Sequence, residues 1–133
     1  MSPQTEKNLE TAMAMEAFAH AKYARFAASA RMNENPDLAS LFQSTADLDR
    51  IAHFRKEFDF AYAPRGDAEN LESAIKDKAS VIEMYSDFMR EAEAVGDYSA
   101  AALFDSVRRD EMVEIRGFRN ALDEVRSESF AMA

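Results

Sequence analysis

The chain contains no cysteine, which excludes disulfides, thiolate zinc sites, iron–sulfur clusters and a rubredoxin-type iron centre. Glycine and proline are almost as scarce, at three each in 133 residues. Both interrupt helical backbone, so their scarcity favours long helices joined by short turns. No apolar run approaches the length of a membrane span, and the opening MSPQTEKN has neither the basic head nor the apolar stretch of a signal peptide. The expectation is a cytoplasmic protein without a membrane partner. Positive charge is also in short supply: 16 Lys and Arg stand against 25 Asp and Glu, a net charge of −9. Such a surface repels phosphate backbones and argues against nucleic acid as a partner. One account of the acidity is solubility. Another sends some carboxylates inward, and their positions along the helices decide between the two.

Helical periodicity is present throughout. Leu9, Met13, Glu16, His20, Tyr23 and Ala27 recur at steps of three and four, which predicts a helix from about Thr5 to Arg31. Asn33-Glu-Asn-Pro36 ends it. Pro36 and Asp37 then suit the first turn of a second helix, whose stripe is Leu38, Leu41, Phe42, Thr45, Asp49, Ala52 and His53 and which continues to about Tyr62. A third helix starts near Glu69, with Leu71, Ile75, Lys78, Ile82, Tyr85 and Met89 in line. Beyond a turn at Gly96-Asp97, a fourth carries Leu103, Phe104, Val107, Glu111, Glu114, Phe118 and Leu122 and frays towards Ser127. The short connections predict antiparallel neighbours.

The two halves align without a gap at an offset of 62 residues, the distance from Asn8 to Asn70. Asn8-Leu-Glu10 returns as Asn70-Leu-Glu72, Tyr23 as Tyr85, Phe26 as Phe88, Ala30 as Ala92, Leu41-Phe42 as Leu103-Phe104 and Ser44 as Ser106. Shared periodicity aligns apolar with apolar; it does not align Tyr with Tyr or Asn-Leu-Glu with itself. The repeat predicts an all-α fold, an antiparallel four-helix bundle made of two repeated helical hairpins, forming a single domain over residues 1–133.

The same offset pairs Glu16 with Lys78 and Asp49 with Glu111. All four interrupt apolar stripes, with His53 one turn beyond Asp49 and Glu114 one turn beyond Glu111. Each buried carboxylate costs several kcal/mol to desolvate unless it is paired. A metal, a salt-bridge network or a proton relay would each account for the pattern. His20 is read as a half-buried packing residue. Tyr23 and Tyr85 are read as core aromatics whose hydroxyls need partners, which a nearby carboxylate would supply.

Asn8-Leu-Glu-Thr-Ala12, Glu16-Ala-Phe-Ala-His-Ala-Lys-Tyr23, Leu41-Phe-Gln-Ser-Thr-Ala-Asp47, Glu83-Met-Tyr85 and Asp110-Glu-Met112 together resemble the rubrerythrin family of ferritin-like proteins, most of all its stand-alone members without a rubredoxin domain. The resemblance spans nearly the whole chain. It implies a ferritin-like bundle and a di-iron carboxylate site, with a Glu from the first and third helices and Glu-x-x-His from the second and fourth. It further implies oxidoreductase activity on peroxide or dioxygen, an electron-donor protein and a homodimer. Tyr23 or Tyr85 would hydrogen-bond a ligand or pass a proton or electron.

The match is partial. Glu16 takes the ligand position of the first helix and Asp49 that of the second, one methylene shorter. Ala52 stands where the resemblance places His, and His53 follows it; an extra residue in a π-bulge would re-aim that imidazole. Glu111 fits the fourth helix, with Glu114 in the His position. On the third helix Lys78 replaces a bridging Glu, and Val81 falls where a further Glu belongs. A one-residue shift would select Asp77 and Ser80 but spoils the repeat. The implied metal ligands are thus Glu16, Asp49, His53, Glu111 and Glu114, holding iron, as a pair or a single ion, or manganese. Charge bears on the count. Four carboxylates balance two divalent ions, and a protonated Lys78 about 4 Å from one would cost on the order of 4 kcal/mol at an effective dielectric of 20.

A second reading needs no metal. Lys78 pairs with Glu16 and Glu111 inside the bundle, which serves as a binding or interaction module or uses Lys78 for acid–base or covalent chemistry. Iron storage is a third and weaker reading, since no cage-forming surface is evident.

Overall fold

The first helix, α1 (Pro3–Met32), starts where the Ser2 hydroxyl accepts the backbone N–H of Thr5, with Pro3 at the first helical position. Asn35 caps α2 (Pro36–Leu48) in the same way, its side chain accepting from Leu38. Without a break in the chain, α2 runs into a six-residue π-helix, Asp49–Phe54, and then into α3 (Arg55–Ala61). The remaining helices are α4 (Asp67–Ala94) and α5 (Tyr98–Met132). This computed structural model describes residues 1–132, with side chains as far as Glu128. The protein is all-α, and the last helix extends past the expected fraying at Ser127. No helix among the described residues is long and apolar enough to cross a membrane.

The chain divides into two compact units, Met1–Pro64 and Arg65–Ala133, which coincide with the halves of the repeat. Each is a helical hairpin. In the second, Glu72 meets Arg126, Lys78 meets Glu111 and Tyr85 meets Phe104, so α5 folds back along α4.

The two hairpin turns are built alike. Asp97 donates its N–H to the Ala92 carbonyl and Gly96 to that of Glu93, a Schellman closure with Gly96 at φ 82°. One repeat earlier, Asn35 donates to Ala30 and Glu34 to Arg31, with Glu34 at φ 58°. A glutamate there bears the left-handed penalty that glycine avoids. Glu34→Gly is therefore expected to stabilise the first hairpin by about 1 kcal/mol, read from denaturant unfolding, and Gly96→Ala to cost the second about as much.

Small residues bring the helices together next to these turns: Ala30 and Ala39 in one hairpin, Ala92 and Ala101 in the other, all buried. Further along, each hairpin carries an aromatic cluster. Tyr23, Phe26 and Phe42 have ring centres 5.3–6.1 Å apart, and Tyr85, Phe88 and Phe104 repeat the arrangement at 5.7–6.4 Å. Not every stripe residue is covered. Leu41 and Leu103 are 63% and 60% exposed, and Phe26 and Phe88 43% and 38%. Within a hairpin each helix is covered by its partner on one side, so the partner alone leaves part of each apolar stripe open, here at matching places in both halves.

Candidate metal centre

Glu16 lies midway along α1, while Asp49 and His53 lie in the π-helix. The tighter i→i+4 ladder gives way here: the Asp49 N–H is shared between the carbonyls of Ala46 and Thr45, and the chain takes the wider i→i+5 turn beyond it. This is the extra residue that the displaced histidine calls for. His53, rather than Ala52, faces the carboxylates. Its Nδ1 is 3.3 Å from Asp49 Oδ1 and 3.4 Å from Glu16 Oε2, and one donor atom from each of the three residues lies within 4.8 Å of the others. Asp49 is 8% exposed, the one buried charged residue among those described. Glu16 is half-buried and His53 reaches the surface.

These spacings suit a cation. Metal bonds of about 2.1 Å to imidazole and carboxylate place two donors at a tetrahedral angle about 3.4 Å apart. Two carboxylates and one neutral imidazole bring a charge of −2, the complement of one divalent ion. Oxygen and nitrogen donors of this kind suit iron or manganese. Three protein donors would leave coordination positions for a small ligand.

The equivalent place in the second hairpin holds a cation of the chain's own. Lys78 Nζ on α4 is 2.5 Å from Glu111 Oε2 and 2.6 Å from Glu114 Oε2 on α5. Lys78 and Glu111 are half-buried and Glu114 is exposed. Asp77 and Ser80 are exposed, so the ungapped repeat identifies the residue that faces α5. The hydrogen bond to Glu111, followed by that to Glu114, raises the Lys78 amine above the ordinary lysine value of 10.5, against a smaller opposing effect of desolvation. A raised value means that the pair contributes fully below pH 10.5 and loses its contribution as pH climbs through the folded-state value. The stability difference between the parent and Lys78→Met should accordingly stay constant through neutral pH and shrink above pH 10.5, as measured by unfolding titrations at stepped pH.

The expected site residues thus fall into two groups. Glu16, Asp49 and His53 converge in the first hairpin; Lys78, Glu111 and Glu114 converge in the second. The second carboxylate on Lys78 is Glu114, one turn from Glu111 and on the same helix face, whereas Glu16 is engaged by His53. Tyr23 and Tyr85 are ring-packing residues of the aromatic clusters, and among the described residues neither hydroxyl has a hydrogen-bond partner.

Sequence reading missed two features. His20 Nδ1 lies 3.0 Å from the Ala46 carbonyl oxygen, joining α1 to the last turn before the π-helix. On α5, Asp105 accepts from Arg108 at 2.7 Å and also from Arg109, and the Arg108 bond holds its carboxyl below the usual carboxylate range. The i,i+3 and i,i+4 spacing of opposite charges was the available signal for that second network. Comparison with known proteins finds no family model that matches this chain and no matching curated protein.

Proposed function

We propose that this protein is a rubrerythrin-like oxidoreductase that holds one divalent iron or manganese ion on Glu16, Asp49 and His53 and acts on peroxide or dioxygen. The observation that carries the reading is the convergence of Glu16 from α1 with Asp49 and His53 of a π-helix whose first residue is that buried aspartate. Local widening of a helix has a cost, and such turns occur frequently at functional sites. Bound there, the metal would supply Lewis acidity and one-electron chemistry. Glu16 and Asp49 would neutralise its charge, and burial of Asp49 would keep that ligand from water.

The charges favour one ion over two. Glu111 and Glu114 are engaged by Lys78, whose ammonium supplies a fixed positive charge where the resemblance implies a second metal. For the architecture, a ferritin-like bundle of the two hairpins, itself forming a homodimer, is the reading that the repeat and the matched exposed faces at Leu41, Leu103, Phe26 and Phe88 support. A cytoplasmic location and an electron-donor protein belong to the same reading.

Elemental analysis of protein produced with iron and manganese available, followed by ferrous titration of metal-free protein, tests it. About one ion per chain and an absorption change on addition of peroxide are expected. A chain that takes up neither metal would sink the reading. The alternative, a metal-independent binding module or lysine-based catalyst, draws support from the satisfied Lys78 cluster. Its mark would be wild-type behaviour in protein stripped of all metal.

A further inference from the structure

His20 stands one turn beyond Glu16 on α1, half-buried, on the side that faces the second helix. A carbonyl oxygen can only accept, so the 3.0 Å contact with Ala46 requires Nδ1 to carry the hydrogen. Ala46 lies three residues before the π-helix, and its oxygen also takes the N–H of Asp49, the first π residue, in a bond shared with Thr45. The imidazole adds a donor to that carbonyl from outside the helix.

We infer that His20 is a positioning residue that anchors the start of the π-helix to α1 in register with Glu16, an inference that, as far as ligand geometry is concerned, rests on the metal reading of the same site. The connectivity is short. Glu16 and His20 are separated by one turn of α1, and Ala46 and Asp49 by three residues of the second helix, so the His20 bond ties the two ligand-bearing helices at the level of the site. An α-helix turns about 100° per residue. If the π turn relaxed to α geometry, the helix beyond it would rotate relative to Asp49 and carry His53 away from Glu16. Groups that only orient a ligand commonly change metal affinity by about 10–100-fold when removed.

The test compares the full-length parent with H20F, which keeps a ring but removes the donor, and H20N, whose side-chain amide lies where Nδ1 does. Co(II) binding is followed by visible absorption, and amide exchange over residues 49–55 by NMR. H20F is expected to weaken Co(II) binding about tenfold or more and to speed exchange in the π-helix while leaving α4 unchanged, and H20N to restore both. Unchanged exchange over residues 49–55 in H20F overturns the inference. If the parent binds no Co(II) but exchange responds as expected, the metal reading fails while the hold of His20 on the π-helix is supported. Should H20F not fold, the ring nitrogens of the parent decide: an Nδ1–H tautomer of His20 is expected, and an Nε2–H tautomer overturns the inference.

Discussion

Replacing Lys78 by glutamate is expected to turn the second hairpin into a divalent-cation site. In the parent, one ammonium lies 2.5 and 2.6 Å from the carboxylates of Glu111 and Glu114. The substitution removes that cation and adds a third carboxylate in its place, recreating on α4 what Glu16 is on α1. Without metal, K78E should lose about 2 kcal/mol, between the small value of exposed ion pairs and the larger penalty for stranding buried charge. With free Mn(II) at about a hundred times the dissociation constant of the new site, about 2.7 kcal/mol should return beyond the parent's own response to the metal. The parallel variant K78M should lose about 1–2 kcal/mol and gain from Mn(II) no more than the parent does through its first hairpin. Chemical unfolding of each variant with and without Mn(II) distinguishes them. K78M as stable as the parent would show that the ion pair contributes little, and a K78E no more responsive to Mn(II) than the parent would remove the idea that the lysine occupies a metal position.

The second large effect concerns Asp49, where binding and stability should move in opposite directions. Asp49→Asn keeps the shape of the side chain but removes its charge from a position that is 8% exposed. Metal affinity should fall at least about 100-fold, beyond the range typical of groups that merely orient a ligand. The metal-free protein, relieved of a desolvated carboxylate, should be unchanged or stabilised by about 1 kcal/mol. The metal-independent reading gives the reverse sign. There, Asp49 is kept for its contact with His53 at 3.3 Å, and its neutralisation destabilises the hairpin. Isothermal titration with Mn(II) beside thermal unfolding of metal-free D49N separates the two readings.

Much of the two hairpins was legible because their signals are carried by side chains at fixed spacing. Asn33 to Pro36 marks a helix end, Pro36-Asp37 the first turn of the next helix, Gly96-Asp97 a turn, and the displacement of histidine from position 52 to His53 is a one-residue anomaly that a π turn resolves. Lys78 was identifiable by its register with Glu16, but its second partner was not, because helical spacing brings Glu111 and Glu114 equally near an opposing side chain. The His20 contact left no trace in the residue pattern, since its partner is a backbone carbonyl that any residue at position 46 would provide. The exposure of Leu41 and Leu103 was hidden for a different reason. Periodicity identifies the apolar side of a helix but not the width of it that a single neighbour covers.

The ion pair at Lys78 has a consequence for how the two halves would respond to scarcity. A cation that is part of the polypeptide is delivered at synthesis, cannot dissociate and cannot be removed by a chelator, so the second hairpin keeps its counter-charge under every metal supply. On the proposed reading, the first hairpin gains stability only in proportion to the free metal around it. Starvation would then loosen one half of the duplicated chain and leave the other intact, making the protein's proteolytic lifetime a report on cellular metal.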